Sequence, residues 1–175
     1  PQSGIGDTLV ARTKSSAERD ILLLGHVDTV HPPESQFNKF CMQDNGHASG
    51  PGIMDMKGGL VVIVYALQAL HEFGILQSIP LTVVVDTDEE TSSDSFRTLL
   101  KQEAKRFECA LVFEPGRPGD DIVDKRKGIR TCFVKVKGKS AHAGNSNDIG
   151  KSAIWQLARY VDCIQKLGSA ERDIN

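Results

Sequence analysis

The chain has 175 residues, of which 39% are hydrophobic and 25% are charged, and its formal net charge is -2. This is the composition of a globular domain, and a near-neutral charge provides no basic field that would attract nucleic acid. The longest apolar run, residues 60–67, is much shorter than the ~20 residues that cross a bilayer, so no membrane partner is expected either.

The four cysteines show neither metal-ligand spacing nor the pattern of a disulfide framework. They are Cys41, Cys109, Cys132 and Cys163. Cys109 and Cys132 fall within apolar strand patterns, so we expect them to be small buried hydrophobic residues. Cysteine usage therefore favours a reducing compartment, cytoplasmic rather than periplasmic.

The first part of the chain is predicted to form strands. Residues 7–13 form a short one, and residues 21–25 contain four consecutive aliphatic side chains bounded by polar residues. Such a continuous run is typical of a strand buried on both faces, as in a parallel sheet. A further strand is predicted over residues 40–43, ended by the turn signal at 44–46.

The middle of the chain alternates helices and strands. A glycine-dense loop, 50–59, opens a helix over 60–73 that is apolar nearly all round and should be deeply packed. Residues 81–85 and 109–113 read as two more buried strands. A helix between them has its apolar face at residues 96–107 and is capped by Ser92, Ser93 or Asp94. This alternation predicts an α/β layered domain.

The pattern changes after residues 116–119. Residues 121–127 and 129–139 are predicted to form a hairpin or extended pair around Gly128, with the second strand half exposed. Gly150 then opens a helix with apolar positions from Ile154 to Leu167. We place a domain boundary near residues 115–120, which gives domains of residues 1–117 and 118–175.

Each of the three buried strands ends in a polar group that includes a carboxylate: His26 and Asp28, Glu89 and Glu90, and Glu114. Any one of these is commonly just a polar strand end or a helix-dipole feature. Together they are informative, because ligand sites in open α/β sheets collect at the carboxyl ends of strands. Imidazole and several carboxylates, with Asp55 from the glycine-dense loop, form a ligand set for a hydrolytic two-zinc site. Asp28 is placed to hold the far nitrogen of His26.

Five motifs occur in order: GHVDTV at 25–30, GPGIMDMKGG at 50–59, TDEE at 87–90, FEP at 113–115 and GKSAHAG at 138–144. Together they resemble the dizinc exopeptidases and amidohydrolases that include acetylornithine deacetylase, succinyl-diaminopimelate desuccinylase, aminoacylase and glutamate carboxypeptidase. Residues 117–118 and 125–128 look most like the bacterial glutamate carboxypeptidase branch. The resemblance implies a partial three-layer zinc-peptidase catalytic domain followed by the start of an inserted α+β lid or dimerisation domain.

The resemblance also implies a set of metal ligands. His26 and Glu114 would hold one zinc, Asp55 would bridge both, and Glu90 would hold the other. A complete active site of this kind contains two zinc ions.

Three further residues acquire implied roles in catalysis. Glu89 is the general base, Asp28 orients His26, and His142 reaches across a homodimer to stabilise the tetrahedral oxyanion. Relatives hold a non-proline cis peptide after the bridging aspartate, so a cis bond is expected between Asp55 and Met56.

The sequence departs from the family pattern in several places. The histidine of the second zinc and the lid's substrate-carboxylate arginine are not among the motifs of this chain, and His31, His47 and His71 match none of them. Asn147 stands where relatives usually carry proline. We therefore expect partial zinc occupancy and little activity from these 175 residues alone.

The expected function is zinc-dependent hydrolysis of an amide bond that releases a C-terminal amino acid, with glutamate as the first candidate. The substrate would be a small molecule or peptide with a free carboxylate. One alternative is deacylation of N-acetyl or N-succinyl amino acids. Another is an inactive fragment or dimerisation module.

Overall fold

A computed structural model describes residues 6–14, 18–91, 94–119, 121–129 and 131–168. The chain divides into two compact units, Pro1–Val123 and Asp124–Asn175. The first unit contains a sheet with a helix on each face, and the second contains one long helix. The domain boundary at residues 117 and 118 stays a prediction.

The described part of the first unit contains the following strands: β1 (Leu9–Arg12), β2 (Asp20–His26), β3 (Cys41–Met42), β4 (Ala48–Ser49), β5 (Leu81–Asp86) and β6 (Phe107–Val112). Four of them form a mixed sheet in the order β1-β5-β2-β6, and β3 pairs with β4. β2 is parallel to both β5 and β6, whereas β1 is antiparallel to β5. The carboxyl ends of β2, β5 and β6 therefore lie at one edge of the sheet.

Two helices complete the layers, α1 (Gly58–Glu72) and α2 (Asp94–Glu103). One core cluster lies between α1 and the sheet, where Ile63 of the helix packs against Leu23 of β2 and Val83 of β5. The other lies on the opposite face, where Phe96 of α2 packs against Leu22 of β2 and Val84 of β5. Alternate residues of a strand point to opposite faces, so the continuous aliphatic run of β2 supplies both clusters. The predicted three-layer α/β architecture is confirmed.

The prediction that α1 is deeply packed is wrong. Ile63 is buried, but Val61, Val62, Val64 and Tyr65 are between 54% and 68% exposed. The sheet contacts only one stripe of the helix, and no other described element of this unit covers the remaining surface. An apolar sequence indicates that a surface favours burial, but it does not specify what covers that surface.

The segment Ile53–Glu72 is long and apolar enough to cross a membrane by length and composition alone. The helix within it nevertheless packs Leu60, Ile63 and Leu67 against the sheet. A core helix of a layered domain commonly meets the same criterion, since both environments select apolar side chains.

The predicted burial of the third strand is also wrong. β6 lies at the edge of the sheet, with Leu111 and Val112 about half exposed. Cys109 in this strand and Cys132 in the second unit are exposed, contrary to expectation, as are the other two cysteines. Strand propensity predicts pairing with a neighbour, but burial needs a covering layer as well. The proposed caps Ser92 and Ser93 lie outside the described residues.

In the second unit, the hairpin predicted around Gly128 is wrong for the described residues. No strand is formed there, and residues 121–129 are exposed. The only β-type pairing that its described residues show is a single bridge between Lys139 and Lys151. The predicted final helix is present as α3 (Ala153–Gln165), where the Ser152 hydroxyl accepts a hydrogen bond from the Trp155 amide. Ile154 of that helix is 82% exposed.

A buried polar network lies at the amino end of β2. Asp20 is 5% exposed, and its Oδ2 accepts hydrogen bonds from Thr82 Oγ1 at 2.6 Å and Arg106 Nε at 2.9 Å. The Thr82 hydroxyl holds the pKa of Asp20 below its usual range, burial opposes that effect, and the positive charges of Arg106 and Arg12 reinforce it. The ionised carboxylate is therefore part of the folded structure.

Asp20→Asn is expected to lower the free energy of unfolding at pH 7 by about 2 kcal/mol, because the buried Thr82 hydroxyl and the half-exposed Arg106 guanidinium lose a charged acceptor. The pKa is lower in the folded state, so this stabilisation is full above the unfolded pKa and is lost as pH falls through the folded pKa. Denaturant unfolding of wild type and variant should therefore give converging stabilities in acid. The exposed turn residue Asp44 supplies the control, Asp44→Asn. A loss that is equal at every pH would contradict an effect of the charge.

Candidate metal centre

The parallel strands bring the predicted site residues to one edge of the sheet. His26 ends β2 and lies beside Asp86, which ends β5, in the register of the sheet. Glu89 and Glu90 follow β5, and Glu114 follows β6. Residues far apart in sequence thus become neighbours because their strands share a direction.

His26 is 1% exposed and held in one orientation. Its Nδ1 lies 3.2 Å from the main-chain oxygen of Asp28, in hydrogen-bond geometry, and 3.2 Å from Oδ1 of the same residue. Nε2 in turn is in hydrogen-bond geometry with Asp55 Oδ1, so both ring nitrogens face an oxygen that can only accept. In a neutral ring that binds a metal ion through Nε2, the proton is on Nδ1, where Asp28 accepts it, and Nε2 presents its lone pair. That lone pair is the donor that a metal ion requires.

Nε2 of His26 faces two carboxylates. Asp55 Oδ1 lies 3.3 Å from it and Glu114 Oε1 lies 3.8 Å from it. Three acceptors that converge in this way repel one another unless a proton or a cation lies among them. A related group of three possible ligand atoms lies within 4.8 Å of one another, with one atom from each of His26, Asp55 and Glu90. Imidazole with carboxylates is a set that zinc accepts, so these residues fit the implied metal.

The electrostatics of the cluster favour positive charge. Burial alone would lower the pKa of His26, but Glu114, Asp28, Glu89 and Asp55 outweigh it and raise that pKa overall. Burial raises the pKa of Glu114, His26 opposes the rise, and neighbouring carboxylates add to it. Neighbouring carboxylates contribute to both shifts, and a proton or a metal ion would relieve their negative charge.

Asp28 contacts two of the site residues at once. Besides its contact with His26, its Oδ2 accepts a hydrogen bond of 2.9 Å from the main-chain amide of Glu90. It therefore ties the loop after β2 to the loop after β5. Sequence reasoning anticipated only the contact with His26, since the approach of Glu90 depends on how the loop after β5 turns.

Asp55 lies in an irregular turn, Ile53–Lys57, immediately before α1. The peptide bond between Asp55 and Met56 is cis, which confirms the prediction made from the resemblance. Met56 is fully buried, and a Cβ added to Gly25 would lie 2.7 Å from its Cε atom. Gly25 in β2 therefore leaves the space into which Met56 anchors the turn.

Two further buried carboxylates lie behind the site. Asp86 and Asp88 are each 1% exposed, and burial, reinforced by Asp88, raises the pKa of Asp86 to about 6. Asp86 is the last residue of β5, and Asp88 lies in the loop two residues later. Sequence reasoning did not single them out, although their spacing of two residues at a strand end is a usable signal.

Two cavities adjoin the cluster. One of about 330 Å³ is lined by Asp55, Glu90, His31 and Phe37, among others. A smaller one of about 140 Å³ is lined by His26, Glu89 and Glu114, among others. Glu89 and Glu90 thus line different cavities.

His31 is a wall residue of the larger cavity. Its ring meets that of Phe37 edge-on, with 5.0 Å between centroids and 65° between planes. Sequence reasoning assigned His31 only to a loop. Its position five residues after His26 was the one sequence feature that could have indicated that it lies near the site.

His142 belongs to the second unit and is exposed there. Its Nδ1 accepts hydrogen bonds from the amides of Gly144 at 3.1 Å and Asn145 at 3.3 Å. In the neutral ring an accepting Nδ1 leaves the proton on Nε2. His142 therefore presents an outward donor, which is the property that oxyanion stabilisation requires.

Comparisons with known proteins give a consistent result. The profile of peptidase family M20/M25/M40 matches residues 22–169. Carboxypeptidase G2 of Pseudomonas sp. (strain RS-16) is 35% identical over 90% of this chain and 38% of its own length. Acetylornithine deacetylase of Pasteurella multocida is 30% identical over 76% of this chain and 35% of its own length. The chain thus spans less than two fifths of these relatives.

Two of the similar solved structures are dipeptidases. A di-peptidase of Saccharomyces cerevisiae superposes with a TM-score of 0.51 and 21% identity, over 60% of this chain and 24% of its own. Human carnosine dipeptidase 1 superposes with a TM-score of 0.52 and 17% identity, over 64% of this chain and 27% of its own. At these identities the likeness shows the fold.

Proposed function

The chain belongs to peptidase family M20/M25/M40. We therefore propose that it supplies part of the active site of a zinc-dependent hydrolase that cleaves an amide bond. The reaction would release a C-terminal amino acid. One observation carries the proposal: the Nε2 lone pair of His26 converges with the carboxylates of Asp55 and Glu114. Such a set of acceptors is suited to a bound cation.

Four residues would hold zinc. His26 and Glu114 would hold one ion, Glu90 would hold a second, and Asp55 would contribute to both. When bound, zinc polarises the substrate carbonyl and lowers the pKa of a water molecule.

The chain's own groups supply the remaining steps. Glu89 accepts a proton from the attacking water and returns it to the leaving amine, which is general acid–base catalysis. Asp28 keeps His26 in the required tautomer and holds Glu90 in place through its amide. His142 would donate its Nε2 proton to the oxyanion in the partner protomer of a homodimer.

The substrate is proposed to be a small molecule or peptide with a free carboxylate, and the carboxypeptidase relative favours release of glutamate. The deacetylase relative favours the second candidate, which is removal of an acetyl or succinyl group from an amino acid. Neither nucleic acid nor a membrane is proposed as a partner, because the chain has almost no net charge and α1 packs on the sheet.

The whole protein, expressed as its gene encodes it, should release glutamate from N-acyl-glutamates in the presence of zinc. Chelation should abolish the release, and zinc should restore it. N-acetyl and N-succinyl amino acids with other side chains serve as the comparison, and faster cleavage of these would favour the second candidate. Failure to cleave any amide with zinc bound would contradict the enzymatic proposal and favour a non-catalytic dimerisation module.

A further inference from the structure

We propose that Lys57 is a positioning residue that holds Asp55 in place for the metal ion, through a clamp between its ammonium group and the main chain of Pro51. This inference rests on the metal centre proposed above. The clamp lies in the turn itself, and none of the roles implied by the family resemblance includes it.

The turn that presents Asp55 is not held by regular helical geometry. Asp55 has φ of -122° and ψ of 99°, and Met56 also lies outside the helical region. The main-chain hydrogen bond that closes the turn runs from the Lys57 amide to the Gly52 oxygen, at 2.8 Å. Asp55 therefore needs additional contacts to stay in one position.

Burial of a side chain anchors the turn from behind. Met56 is fully buried behind Asp55, whereas the Asp55 side chain is 57% exposed. Burial of Met56 fixes the part of the turn that follows Asp55. The chain from Pro51 to Asp55 must be held in place by other groups.

Lys57 supplies that contact. Its Nζ donates a 3.0 Å hydrogen bond to the main-chain oxygen of Pro51, which lies across the turn. A Cβ added to Gly52 would lie 2.6 Å from Nζ, so the ammonium group occupies space that only glycine leaves open. Gly52 also has a φ of 68°, which glycine adopts without strain. A hydrogen bond from a charged donor is stronger than one between neutral groups.

The charge of Lys57 and its clamp have opposite effects on metal binding. A positive charge close to the site repels a cation, so its removal would strengthen metal binding if charge were all that mattered. Loss of the clamp loosens Asp55 and weakens metal binding. The sign of the change therefore identifies which effect dominates.

The test is a titration of the whole protein, stripped of metal, with Co²⁺, whose absorption spectrum reports binding and coordination directly. Lys57→Met is expected to weaken Co²⁺ binding about 10-fold or more, as is typical for residues that support metal ligands. Lys39→Met removes the same charge from an exposed position and should leave the affinity unchanged. Amide hydrogen exchange in the metal-free variant should accelerate over residues 52–57 and stay unchanged in β5.

Lys57→Arg provides a second variant should Lys57→Met fail to fold. It keeps the positive charge but exchanges the compact ammonium group for a planar guanidinium, so it should also weaken Co²⁺ binding. Equal or tighter binding by Lys57→Met, with the turn exchanging at the wild-type rate, overturns the clamp alone. Absence of Co²⁺ binding by wild type overturns the proposed metal centre, and the inference with it.

Discussion

Gly59→Ala is expected to lower the free energy of unfolding by about 3 kcal/mol, although alanine normally favours a helix over glycine by ~1 kcal/mol. A Cβ at this position would lie 1.9 Å from the main-chain oxygen of Phe113 and 3.0 Å from its carbonyl carbon. The obstacle is backbone, so no side chain can rotate to relieve it. The first turn of α1 would have to move away from the chain that follows β6.

That movement should also affect the metal centre, because Phe113 immediately precedes Glu114. Denaturant unfolding and Co²⁺ titration of the variant should therefore show a loss of both stability and affinity. Gly116→Ala is the matched control, since nothing lies within 4 Å of a Cβ placed there. A Gly59→Ala protein with wild-type unfolding midpoint would contradict the close approach of α1 to Phe113.

The elements that sequence reasoning predicted best are those whose pattern is fixed by their own residues. The aliphatic runs of β2 and β5 indicated strands buried on both faces, and both strands form within one or two residues of the predicted bounds. Parallel strands then required the polar groups at their carboxyl ends to be neighbours, which placed His26 near Glu114.

The features that could not be predicted depend on which other elements cover the surface of a helix or strand. The sequence of α1 is apolar on most sides, but only the stripe containing Ile63 is covered by the sheet. β6 has strand propensity, yet its place at an edge leaves Cys109 exposed. The contacts from Lys57 to Pro51 and from Glu90 to Asp28 arise from loop geometry, for which the sequence has no periodic signal.

Adjacent glutamates at 89 and 90 illustrate the same limit. The sequence places both after β5, and only the resemblance assigned them different roles. In the structure the Glu90 carboxylate groups with His26 and Asp55, and its amide is held by Asp28. Glu89 lines the smaller cavity beside His26 and Glu114. This separation allows one carboxylate to be removed while the other stays in place.

Glu89→Gln is expected to reduce kcat of the whole protein on its amide substrate by about 1,000-fold, because the amide cannot take up the proton of the attacking water. Glu89 is exposed and the change preserves its shape, so stability should alter by less than about 0.5 kcal/mol. Metal analysis of the same preparation should find wild-type zinc content. Glu90→Gln should instead lose zinc first, with activity falling as a consequence.

The contrast between the two variants separates a proton carrier from a metal ligand. Adding excess zinc should restore part of the activity of Glu90→Gln, because mass action refills a weakened site. The same addition should leave Glu89→Gln inactive, since its metal is already bound. Glu34→Gln, in an exposed loop, controls for the loss of one negative charge. If Glu89→Gln turns over within about threefold of wild type with zinc bound, Glu89 is not the general base, because such a group contributes ~100-fold or more.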